Sequence, residues 1–225
     1  MRRNDRDGVL VLGHWGRPVL VFPSQERTRY EWEEHGMVDT VADLIDAGRV
    51  KLYCVDAWDS VTWCDDWLPS EERARRYEGY ERWLLDHVVP QIAGDEIVTA
   101  GVSMGAYHAA NLTLRRPHQF PLALCFSGIY DVAARFGWGE RGDAVYFNNP
   151  VDFVPGLDGS PASLLLVVGR GMWEDTTGAL EHTLRFAELL RSRGIHHELD
   201  VWGEDAPHDW PAWRAQLAKH LPRFV

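Results

Sequence analysis

A chain of 225 residues with 45% hydrophobic composition can close one sizeable core, and no shift in composition marks a boundary, so residues 1–225 read as a single domain. The formal net charge of −11, with no basic run beyond the "RARR" of Arg73 to Arg76, argues against nucleic acid or an anionic membrane as partner and favours a small uncharged substrate. The apolar stretch before Gly13 is too short for a secretory signal and no run reaches membrane-span length, so the expected location is cytoplasmic.

In chain order, "GVLVLG" and "RPVLVFP" are short β-branched runs joined by "GHWG" and predict a hairpin or two adjacent strands. "MVDTVADLIDAG" has helical spacing and stops at a glycine. "RVKLYCVDAW" predicts a strand, and "SEERARRYEGYERWLLDHVVPQIAG" a long amphipathic helix with Ser70 as cap. "EIVTAGVS" then leads into "YHAANLTLRRP", and "PLALCFSGIY" into an irregular segment containing "YFNNP". "SLLLVVGRG" leads into "GALEHTLRFAELLRSRG", and "HHELDVWG" into "PAWRAQLAKHLPRF". This rhythm predicts an α/β fold, an open and mostly parallel central sheet with helices on both faces, whose ligands bind beyond the carboxyl ends of the strands.

One such strand end carries "GVSMGAY", a G-x-S-x-G pattern centred on Ser103 between a predicted strand and a predicted helix. A sharp turn there lifts the serine hydroxyl above the sheet edge, and its glycines avoid collision with the neighbouring strand and helix. A serine hydroxyl becomes a nucleophile only when a base takes its proton and a carboxylate orients that base. After the last strand, "GEDAPHDWPAW" places His208 just ahead of the final helix, and of the ten histidines it is the best placed as base. His108, one turn into the helix after Ser103, is assigned to packing. For the acid, "RGMWEDTTG" offers adjacent Glu174 and Asp175, of which only one can face the imidazole; Asp175 is preferred, Glu174 is the alternative, and Asp131 and Asp152 rank behind them.

Acyl chemistry also needs donors for an oxyanion. The backbone N–H of Met104 is one, and the loop "VFPSQERTRYEW" offers that of Gln25 or Ser24 as the second. Many of the eleven tryptophans fall on the loops expected around Ser103, and Trp63, Trp138, Trp173 and Trp210 are read as walls of a flat aromatic cleft. Three cysteines fit neither a disulfide framework nor a zinc site, and His35 with Asp39 lacks further ligands, so no metal is expected. No phosphate loop or dinucleotide fingerprint opens a helix, so no cofactor is expected either.

These residues together resemble the α/β-hydrolase superfamily, and within it the putative-esterase group of esterase D, S-formylglutathione hydrolase and the antigen 85 mycolyltransferases. The likeness runs from "GRPVLVFPSQ" to "HLPRF" and is most specific in "GVSMGAYHAANLTLRRPHQFPLALCFSGIYD" and "PHDWPAWRAQL". It implies an α/β-hydrolase fold with a small or minimal cap and a serine esterase: Ser103 as nucleophile, His208 as base, Glu174 or Asp175 as acid, the Gln25 and Met104 amides as oxyanion hole. The substrate is then a small-molecule ester whose acyl and alcohol parts the sequence leaves open, as it does the oligomeric state. An acyltransferase using the same acyl-enzyme and a non-catalytic binding protein of this fold are the alternatives.

Overall fold

A computed structural model describes residues 1–94 and 96–225. The eight strands are β1 (Arg3–Arg6), β2 (Val9–Leu12), β3 (Arg17–Phe22), β4 (Val50–Val55), β5 (Val98–Val102), β6 (Leu122–Phe126), β7 (Ser163–Val168) and β8 (His196–Val201), in one sheet of order β1-β2-β4-β3-β5-β6-β7-β8. From β4 through β8 every pairing is parallel, and only β1 and β2 run against their neighbours. The α/β architecture with helices around a mostly parallel sheet is therefore the one expected from the strand-helix rhythm.

Two details differ at the start. β2 and β3 do not pair: β4 lies between them, antiparallel to β2 through Leu10 opposite Cys54 and parallel to β3 through Val19 opposite Leu52. The "GHWG" link passes beside the start of β4, where a Cβ on Gly16 would sit 2.3 Å from the Arg49 carbonyl carbon. β1 is exposed along its whole length, so it carries no apolar period to find; its signal is the Asp7-Gly8 pair, both at positive φ, which turns it into β2.

The sheet divides the core by strand alternation. Leu20, Phe22, Ala123, Cys125, Leu164 and Leu166 face one side, packed under helices Ser70–Trp83, Met104–Arg115 and Ala179–Ser192. Val19, Val21, Val98, Ala100, Leu124, Leu165 and Val167 face the other, covered by Trp32, Met37, Val38, Val41 and Ile45 of short helices between β3 and β4 and by Trp213 and Leu217 of helix Trp210–His220. The predicted helix over "MVDTVADLIDAG" is thus broken in two, Met37–Thr40 and Ala42–Asp46, with Val41 at φ −117° between them, and Met37, Val38, Val41 and Ile45 are all buried against the sheet.

The long predicted helix holds α-geometry only over Ser70–Trp83 and then widens and tightens through Leu84–Gln91, where Pro90 supplies no N–H to the ladder. Ser70 is not its cap: the backbone N–H and hydroxyl of Ser70 both donate to the Trp138 carbonyl, at 2.8 and 2.7 Å, and pin the loop after β6. Cys54, Cys64 and Cys125 are free thiols, and burial pushes those of Cys54 and Cys125 well up from the ordinary range. Among the described residues no helix is long and apolar enough to cross a membrane.

Candidate active site

The loops after β3, β5, β7 and β8 meet at the carboxyl edge of the sheet. Ser103 ends β5 at φ 54° and ψ −119°, a left-handed conformation that a non-glycine residue adopts only when its surroundings hold it. Its N–H donates to the Phe126 carbonyl at 2.8 Å. The flanking glycines are required by contact: a Cβ on Gly101 would lie 2.2 Å from the Gly105 carbonyl carbon and oxygen, and one on Gly105 would lie 2.4 Å from the Pro23 carbonyl oxygen. Gly101→Ala is accordingly expected to cost about 3 kcal/mol through overpacking against backbone, a Tm drop of about 6–12 °C in a chain of this size. Thermal melting by circular dichroism checks it, and an unchanged Tm would mean that the turn is not packed in this way.

His208 stands in the loop after β8, where its N–H donates to the Met172 carbonyl at 2.9 Å and its ring lies edge-on to Trp213 at 5.0 Å. The Asp209 carboxylate accepts the Trp210 N–H and, with Pro211 in the first turn, starts the following helix. His208 Nε2 is 3.0 Å from Ser103 Oγ, and Nδ1 is 3.0 Å from Glu174 Oε2. Glu174 is fully buried. Its second oxygen accepts the Ser127 hydroxyl at 2.5 Å and the Gly169 N–H at 3.2 Å, and Ser127 Oγ in turn accepts the Trp213 indole N–H at 3.0 Å. A buried carboxylate is stable when its oxygens are satisfied, and these donors satisfy both.

The preference for Asp175 is therefore corrected: Glu174, not Asp175, meets the imidazole. Trp173 takes a left-handed φ of 71°, and after that kink Glu174 is buried while Asp175 stays exposed, its carboxylate accepting the Thr176 N–H at 2.8 Å. Asp131 and Asp152 both hold Asn149 Nδ2, at 2.9 Å each, and neither is bonded to His208. Sequence reasoning missed Ser127 and the part played by Trp213. Ser127 closes β6 at the same sheet edge with φ 50°, a position that could have flagged it.

The candidate oxyanion donors separate as well. Met104 is the first residue of helix Met104–Arg115, where the N–H has no acceptor within the helix. Gln25 lines the cleft beside Ser103, and its N–H has no acceptor among the described residues. Ser24 is corrected: its N–H is taken by Glu31 Oε2 at 2.7 Å, so it cannot serve. Burial pushes the Glu31 carboxyl up, against the opposing effect of its two hydrogen bonds from Ser24.

The cleft over Ser103 encloses about 270 Å³ between Gln25, Arg27, His35, His208 and Trp210. Of the four tryptophans expected there, Trp210 lines it, stacked flat on His35 with ring centroids 4.2 Å apart. Trp63 is corrected: it is wholly buried, its indole N–H donating to the hydroxyl of Tyr107 on helix Met104–Arg115 at 2.8 Å. Trp138 and Trp173 are half-exposed on the loops after β6 and β7 and stand outside the lining. A larger hollow, about 460 Å³ between Asp131, His182 and Arg185, is lined by no serine, threonine or cysteine. Among the described residues no group of His, Cys, Asp and Glu could hold a metal ion.

The family described as "Putative esterase" matches residues 21–224. The chain belongs to this esterase family. Ester hydrolysis is thus its general activity, and its class that of the carboxylesterase-type hydrolases. No curated protein matches the chain. Among solved structures it is similar to a ferulic acid esterase (18% identity, TM-score 0.70, 96% of this chain and 90% of that one). It is also similar to the S-formylglutathione hydrolase FrmB of Staphylococcus aureus (14%, 0.68, 96% and 88%) and to an S-formylglutathione hydrolase of Agrobacterium tumefaciens (15%, 0.67, 96% and 87%). At such identities these likenesses establish the α/β-hydrolase fold of this esterase, and its substrate must be argued from its own cleft.

Proposed function

We propose that this esterase hydrolyses small carboxylic esters through an acyl-enzyme on Ser103. The observation that carries the reading is the unbroken relay from Ser103 Oγ through both nitrogens of His208 to buried Glu174, each step 3.0 Å. With the imidazole proton held on Nδ1 by Glu174, Nε2 accepts the Ser103 proton as Oγ attacks the ester carbonyl carbon. The carbonyl oxygen takes up the negative charge between the Met104 and Gln25 N–H groups. Collapse breaks the bond to the leaving oxygen, which receives the proton from Nε2. Water then gives a proton to His208 Nε2 and attacks the acyl carbon; the acyl–Oγ bond breaks, Oγ takes that proton back from Nε2, and the carboxylic acid leaves with Ser103 restored.

Hydrolysis is favoured over acyl transfer because a transferase must keep water from the intermediate, and Ser103 and His208 both remain partly exposed here. A cleft of about 270 Å³ suits a short acyl chain. Incubation with a fluorophosphonate probe is expected to place a single label on the peptide holding Ser103, and turnover of p-nitrophenyl acetate is expected to exceed that of the octanoate at least tenfold. A label elsewhere, or none with no ester turned over, would sink the acyl-enzyme reading, while faster octanoate turnover would sink the short-chain assignment.

A further inference from the structure

The loop after β3 is held in an uncommon way. On one side of Gln25, the Ser24 N–H and hydroxyl donate to Glu31 at 2.7 and 2.6 Å. On the other, the Glu26 N–H donates to Asp59 Oδ2 at 3.0 Å, with Glu26 itself at φ 58°. Both carboxylates are buried, Glu31 at 4% exposure and Asp59 at 0%. Burying a carboxylate is costly unless it is well bonded, and packing alone does not call for two of them to grip alternate amides of one loop. The amide left between them is that of Gln25.

Asp59 does more than hold Glu26. Its Oδ1 lies 2.9 Å from Nε2 of His108, whose ring is 1% exposed and stacks on Tyr77 with centroids 5.6 Å apart. His108 is four residues after Met104 on the same helix, one turn along and on the same face. One buried pair therefore spans from the loop carrying the Gln25 N–H to the helix whose first amide is that of Met104. Packing alone, the role the sequence assigns to His108, does not account for this pair: an apolar side chain would pack there without needing a buried carboxylate opposite.

We propose that Asp59, supported by His108, is a positioning residue that fixes the spacing between the Gln25 and Met104 amides so that both meet one oxyanion. This rests on the acyl-enzyme reading above. Asp59 touches no reacting atom; it acts through the Glu26 amide on one side and helix Met104–Arg115 on the other.

The test compares Asp59→Ala and Asp59→Asn with the wild type on p-nitrophenyl acetate, with kcat counted per serine titrated by saturating fluorophosphonate so that unfolded molecules drop out. Misplacing an oxyanion donor by about an ångström costs roughly 100-fold. Asp59→Ala is therefore expected to lower kcat by about that factor with KM changed less than about threefold. Asp59→Asn is expected to recover most of it, because the amide oxygen can accept the Glu26 N–H while its NH2 donates to His108 in the other tautomer. Should Asp59→Ala fail to accumulate folded, His108→Gln is expected to show the same split more weakly, by about tenfold in kcat. A wild type that turns over ester, beside an alanine or glutamine variant whose kcat per labelled serine is unchanged, overturns the positioning role alone. A wild type with neither label nor turnover overturns the acyl-enzyme reading and this assignment with it.

Discussion

Ser103→Ala is expected to lower kcat/KM on p-nitrophenyl acetate by roughly 10³-fold or more while leaving the fold intact. In the proposed mechanism the relay moves a proton off Ser103 Oγ, and His208 Nε2 at 3.0 Å has no other hydroxyl within hydrogen-bond reach among the described residues. Without the oxygen there is no acyl-enzyme, and what remains is the small acceleration that oriented N–H donors give to direct attack by water. At about 1.4 kcal/mol per decade the loss corresponds to about 4 kcal/mol or more of transition-state stabilisation. Stability is expected to change little, because alanine keeps the Cβ and the turn is held by the Ser103 backbone bond to Phe126 and by the contacts of Gly101 and Gly105. Steady-state kinetics beside a thermal melt read both. A variant that keeps its turnover would remove Ser103 from the reaction, and one that melts many degrees lower would show the hydroxyl to be structural.

Glu174→Gln is expected to lower kcat by about 10⁴-fold, and Asp175→Asn by less than twofold. The glutamate effect follows from which of its oxygens can tolerate an NH2. Oε1 accepts the Gly169 N–H, a group that can only donate, so the amide oxygen of glutamine settles there and the NH2 turns toward His208 Nδ1. The imidazole must then accept at Nδ1 and carry its proton on Nε2, the one nitrogen that has to be free to take the Ser103 proton. Inverting the tautomer in this way costs about 5 kcal/mol, with shape and packing preserved. Asp175, exposed and bonded to the next amide, has no part in the relay. Measuring both variants on the same ester separates the two carboxylates directly: a large loss in Asp175→Asn with little in Glu174→Gln would reverse the assignment.

The chain's local chemistry made much of this legible without coordinates. Apolar runs of strand length alternating with amphipathic stretches predict a parallel α/β sheet, because those periods reflect which side each residue must bury, and β3 to β7 follow that pattern, while β8 at the sheet edge is largely polar and exposed. The G-x-S-x-G turn is visible because the backbone at Gly101 and Gly105 leaves no room for a Cβ, a constraint that shows directly as residue type. The placing of His208 follows from its being the histidine of the last loop before the final helix.

What could not be read were contacts between residues far apart in the chain. Strand order is one: β4 enters between β2 and β3 because pairing joins distant segments, and neither run carries a mark of its neighbour. The choice between Glu174 and Asp175 is another, decided by the left-handed kink at Trp173 that buries one carboxylate and leaves its neighbour in water. Trp63 and Trp138 look alike on paper; one fills the core against Tyr107 and the other lies half in solvent, since an indole packs or projects according to what the other strands bring beside it. Asp59 and His108, 49 residues apart, have no shared motif at all. Residue type and period determined the sheet, the turn and the histidine loop, because each is enforced within a few residues. The carboxylate that faces His208, the walls of the cleft and the carboxylates that hold its amides were decided only by folding, because each depends on burial beside a partner that the chain brings from elsewhere.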